Sequence, residues 1–160
     1  MGLPWRRDLD LGRLLAVELA RRELPADVVV EDLSYSAHRV MHTLEELRPR
    51  KLVLVGAVVR GGPAGEIRRY RLEGPPAEPE EVAERLGESV GGVIDLDHIV
   101  VVNRHFGALP DDTVVIEVEA GDDQFGVGYS PDIERAIAAI LDMIDEEIQP
   151  ITGAGRERPQ

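Results

Sequence analysis

The sequence has no cysteine, which removes disulfides, zinc ribbons and thiol nucleophiles at once. Lysine is almost missing too: Lys51 is the only one, and arginine supplies the other cations. Those cations are outnumbered, 18 Lys and Arg against 31 Asp and Glu, for a formal net charge of −13. Such a balance denies the chain the broad basic face that nucleic acid or an anionic membrane surface requires. Aromatics make up only 4%. No window approaches the roughly 20 apolar residues of a membrane span, and Asp8 and Asp10 stand where a signal peptide would need an apolar run. The expectation is a cytoplasmic protein without nucleic-acid or membrane partners.

What is present is a chain of 160 residues with 43% hydrophobic content, long enough to bury a core as one domain. The reading places that domain over residues 1–151 and a disordered tail over 152–160. "DLGRLLAVELARREL" carries a helical stripe with Asp10 as its cap and Pro25 as its stop. "DVVVEDL", "KLVLVGAVV" and "DTVVIEVEA" are short, β-branched and unalternated, the pattern of strands buried on both faces. "EIRRYRLE" follows a Gly-Pro turn and reads as an antiparallel hairpin strand. "SAHRVMHTLEEL" and "EPEEVAERLGESV" read as helices. "DLDHIVVVNRHFG" fits either type: Asp95 and Gly107 favour a helix, the run Ile99 to Val102 a strand. "SPDIERAIAAILDMIDEEI" is the clearest helix, with Ser130 as cap and Pro131 in its first turn. Strands alternating with helices imply an α/β fold of three layers, a mostly parallel twisted sheet with helices on both faces. In such sheets sites gather at the C-terminal ends of the strands.

"GLPWRRDLDLG", residues 2–12, carries acids into a helix start. With the "VVVEDLSYS" turn, the segment "LVLVGAVVRGGPAGEIRRYRLE" and the "VGYSPDIERAIAAILDMI" helix entry, it resembles the nickel–iron hydrogenase maturation endopeptidases. Gly2, Asp8 and Gly12 match the family's first loop, and the resemblance runs from Gly2 to about Ile151. Each motif is weak singly; their order and spacing make the likeness. It implies an enzyme class that removes a C-terminal extension from the hydrogenase large-subunit precursor after nickel insertion. The nickel comes with the substrate, so no cofactor is bound intrinsically. The family also opens with a strand ahead of its first loop. Its three ligands are an acid in that loop, an Asp ending the buried strand, and a His further on.

This chain departs from the pattern at all three positions. Leu9 occupies the loop acid, Gly56 the strand-end Asp, and the His falls near Gly91. Leucine and glycine side chains offer no donor atoms, which points to a noncatalytic relative acting as a binding or chaperone protein. The alternatives are an active endopeptidase with altered metal-recognising residues, or an unrelated small α/β binding module. Substitute metal candidates are Asp8, Asp10 and His98, although helix-start charge explains the acids equally well. Substrate candidates are Trp5, Arg6 and Asp32. His38 and His42, four apart on a helix, share one face; a solvated surface is the plain reading of that pair. "GAVVRGGPAG" lacks the spacing of a nucleotide cradle, and no serine sits in a nucleophile elbow.

Overall fold

The central element is "DTVVIEVE", β3 (Asp112–Glu119), buried along almost its whole length. It pairs in parallel with β1 (Lys51–Val58) on one side and antiparallel with β2 (Ile67–Arg71) on the other, giving the order β1-β3-β2. The computed structural model describes residues 1–90 and 94–149. The remaining elements are a 3-10 turn at Arg7–Asp10, then α1 (Leu11–Leu19), α2 (Ala37–Leu47), α3 (Pro79–Val90), α4 (Leu96–His105) and α5 (Pro131–Ile148).

Alternation along the strands builds two cores. Leu52, Leu54, Val58 and Val115 face one way and meet Val40 and Leu44 of α2, Val82 of α3 and Ile99 of α4. Val53, Val55, Ala57, Ile116 and Val118 face the other way and meet Leu11 and Leu15 of α1 and Ile133 and Ile140 of α5. The expected three-layer α/β architecture is thus present, with helices on both faces. The ambiguous "DLDHIVVVNRH" is the helix α4. Asp95 caps it by accepting from His98 N at 2.8 Å, and Gly107 takes the left-handed φ of +68° just beyond its end. Ser130 caps α5, accepting from Ile133 N, with Pro131 in the first turn.

Three features differ from the sequence reading. The antiparallel strand β2 is present, but its partner is β3, so β1 and β2 flank β3 rather than forming a two-stranded hairpin. Residues 27–33, the expected strand "DVVVEDL", form no ladder. A groove of about 720 Å³ separates Val28–Leu33 from Lys51–Val55. The segment still buries Leu33 in one core and leans Val30 on the other; side-chain burial there proceeds without backbone pairing. In consequence β1 is an edge strand among the described residues, not a central one.

Met1 sits at the end of that groove. Its amine donates to Val55 O at 3.0 Å, and Gly2 N donates to the Ser34 hydroxyl at 2.8 Å. Gly12 makes this possible: a Cβ there would lie 2.1 Å from Met1 O and 2.4 Å from Val55 O. No helix among the described residues is long and apolar enough to cross a membrane. The expected tail, residues 152–160, and the domain's expected end at Ile151 lie outside the described residues.

Candidate functional site

Beyond the C-terminal end of β1 lies a cavity of about 520 Å³. Leu3, Pro4, Arg6 and Leu9 form one wall, Ala57–Val59 another, and Ile94–Asp97 at the start of α4 a third. This is the strand end at which an α/β sheet is expected to carry its site.

The loop wall is held from a distance. Asp8 is fully buried. Its carboxylate accepts from Gly121 N (2.9 Å), Asp122 N (2.7 Å), Ser130 N (2.6 Å) and the Ser130 hydroxyl (2.7 Å). These four bonds tie the first loop to the turn before α5. Trp5 and Arg7 adopt positive φ, +64° and +42°, a conformation that L residues keep only where neighbours impose it. The restraint is a bridge to Gly126, which donates to Trp5 O at 2.8 Å and accepts from Arg7 N at 3.3 Å. Trp5 is thereby presented outward, 60% exposed, with its ring against Phe125 at 6.4 Å between centroids.

The carboxylates on the cavity's far wall are already engaged. Asp95 caps α4. Asp97 accepts two bonds from Arg60, 3.1 and 2.8 Å. Arg60 also donates to buried Glu117 at 3.0 and 2.7 Å, and these acceptors raise its pKa further above the ordinary range. The Tyr70 hydroxyl donates to Glu117 at 3.1 Å. Burial, and then the Glu117 charge, push that phenol up to about 12. The sequence reading missed this Arg60–Asp97–Glu117–Tyr70 network. Its one legible sign was a pair of glutamates alternating through the otherwise apolar "VVIEVEA".

The candidate metal residues do not converge. Asp8 is spent on the cage just described. Asp10, expected to cap α1, makes no side-chain cap bond; it forms a two-point ion pair with Arg13 instead. His98 is buried, with Nδ1 2.9 Å from Arg85 O of α3. Of the substrate candidates, Arg6 lines the cavity and donates from Nε to Asp123 O at 2.7 Å. Trp5 stands outside it, and Asp32 holds the turn at Ser34 by accepting from its N–H at 2.9 Å. Among the described residues no group of three or more histidine or acid side chains could hold a metal.

The positions matched to the family's ligands are filled by hydrocarbon. Leu9 lines the cavity. At Gly56 an added Cβ would meet Met1 O closely, at 3.3 Å, and would lie in van der Waals contact with Leu96 Cβ, the first side chain of α4, at 3.5 Å. The position near Gly91 lies outside the described residues. A family-type nickel site does not fit these residues. What the cavity offers is a largely apolar slot edged by Arg6, Asp95 and Asp97.

No family model and no curated protein matches the chain in sequence. Solved structures do match it in fold. The endopeptidase HycI from Escherichia coli superposes with a TM-score of 0.64 at 19% identity, over 99% of this chain and 95% of its own. The hydrogenase 2 maturation peptidase from Thaumarchaeota archaeon SCGC_AB-539-E09 gives 0.63 at 19%, over 92% and 93%. The nickel–iron hydrogenase maturation protease HycI from Thermococcus kodakarensis KOD1 gives 0.60 at 18%, over 93% and 88%. The chain has the fold of these maturation endopeptidases along nearly its whole length.

Proposed function

We propose that this protein is a divergent hydrogenase maturation factor that binds a hydrogenase large-subunit precursor without cutting it. The observation that carries the reading is the packing of Leu96 onto Gly56, beside Leu9. Where cleavage guided by nickel needs about three converging donors, this chain has side-chain carbon. The two carboxylates that remain are committed, Asp95 to the α4 backbone and Asp97 to Arg60. Binding needs no metal, and the apolar cavity beside the exposed Trp5–Phe125 pair is a surface on which a precursor's tail can dock.

The test is incubation with nickel-loaded precursor, read by mass spectrometry and by co-purification. The expected result is a stable complex whose precursor keeps its C-terminal extension. Trimming of that extension by the wild-type chain would overturn the noncatalytic reading and favour an endopeptidase with altered residues. In that case Asp97→Asn should abolish the trimming, since Asp97 is the partly exposed cavity acid whose carboxylate is not committed to a helix cap.

A further inference from the structure

The face of α2 turned away from the core carries a second constellation. Ala37, Val40 and Leu44 are buried, while His38 and His42 are exposed. The two imidazoles converge: their Nε2 atoms lie 3.1 Å apart, with ring centroids at 4.4 Å and planes at 84°. Glu45 continues the same face, its Oε2 3.5 Å from His42 Nδ1. Arg39, one residue from His38, is drawn off over the Tyr35 ring at 4.0 Å. Ser36 caps the helix by accepting from Arg39 N, so the backbone holding both histidines is fixed.

We infer that His38 and His42 form a two-histidine site for a borderline divalent cation, of the nickel, zinc or copper class, held through both Nε2 atoms. The separation fits the chemistry. With metal–nitrogen bonds of about 2.0–2.1 Å, nitrogens this far apart subtend about 100° at a shared ion, between the octahedral and tetrahedral values. Without the ion, one Nε2–H donates to the other ring's lone pair. On binding, both rings ligate as Nδ1–H tautomers. The donor ring's proton passes from Nε2 to Nδ1 through solvent, so the rings stay neutral. Glu45 faces His42 Nδ1, where a carboxylate accepts the N–H and fixes which nitrogen ligates. Water fills the remaining positions, which makes the ion exchangeable. No residue of α2 lines the cavity beyond β1, so the site is separate from the proposed precursor-binding surface and independent of it.

The test titrates the full chain with nickel chloride and zinc chloride in a calorimeter. Copper(II) resonance spectra count the ligating nitrogens. One saturable ion per chain with two nitrogen ligands is expected. His38→Ala and His42→Ala should each weaken binding about tenfold or more, and Glu45→Gln by up to about tenfold. His105→Ala should leave it unchanged. All four substitutions are on exposed or half-exposed surface, and unaltered thermal midpoints confirm their fold. Absence of saturable binding, or binding that His38→Asn and His38→Ala leave intact, would overturn the site.

Discussion

Asp8 and Asp10 are two residues apart and do unrelated things. Asp8 accepts four hydrogen bonds from residues 113 to 122 positions away; Asp10 answers only Arg13, one turn along. Asp8→Ala would leave the buried N–H and hydroxyl of Ser130 without their partner, each costing about 1–3 kcal/mol, and would also remove the acceptor from the part-buried N–H groups of Gly121 and Asp122. Its urea midpoint should therefore fall by an amount equivalent to about 3 kcal/mol or more. Asp10→Ala frees a guanidinium that can turn to solvent and should cost only about 1 kcal/mol. Equal losses in the two variants would refute the cage. The sequence marked both acids as notable but assigned the cap to the wrong role. A cap is a local pattern, whereas the partners of Asp8 become neighbours only after β3 and the α5 turn have formed. The surroundings of His98 were hidden for the same reason. Its partner is a carbonyl of another helix, and a lone imidazole in an apolar run carries no mark of that.

At the scale of elements, the helices were the most legible, because caps and 3.6-residue periodicity are written locally. Ser36, Asp95 and Ser130 each cap the helix that the spacing assigned to them. Strand type was legible from β-branched runs; strand partners were not. "DVVVEDL" has the composition of a buried strand, yet forms no ladder among the described residues, since a ladder needs a neighbour within reach and composition does not say who that is. The start of α4 governs the site. Leu96 and Met1 O both border the space beside Gly56, so simply restoring a carboxylate there should fail. Gly56→Asp places a charge against Leu96 with no partner. We expect a loss of about 2–3 kcal/mol in chemical denaturation, with no gain in nickel affinity at the cavity. Leu96→Ala opens room, so the double variant Gly56→Asp/Leu96→Ala should be less destabilised than the sum of the two single changes. Strict additivity, or full nickel binding by Gly56→Asp alone, would show that Leu96 does not occupy the ligand position.

Over the whole molecule, the order of weak motifs told more than any one of them. Loop acids, acidic turn, buried strand, Gly-Pro turn and Ser-Pro helix entry appear in the sequence in the order of the maturation endopeptidases. The fold agrees with theirs at 18–19% identity, and the positions that the sequence resemblance pairs with the family's ligands are Leu9 and Gly56. The unlettered part of the architecture is the sheet's open side, where β1 faces the groove and Met1 closes its end. Burial there lowers the Met1 amine from 8.0 to about 6, against the opposing pull of Asp32 and Asp10. The consequence for stability has a definite sign. Between these two values the unfolded chain holds a proton that the folded chain has released, so stability must rise with pH across that window. Below about pH 6 the amine is charged in both states and the cost of burying it is felt in full. Above about pH 8 it is neutral in both and the cost is gone. Two pKa units correspond to roughly 2–3 kcal/mol. The chain carrying Met1 should therefore gain about that much unfolding free energy from pH 6 to pH 8 in urea titrations. The Nα-acetylated chain has no amine to titrate. Its curve should lack that rise. Parallel curves for the two chains across this range would mean that the Met1 amine reaches water in the folded protein and does not close the groove.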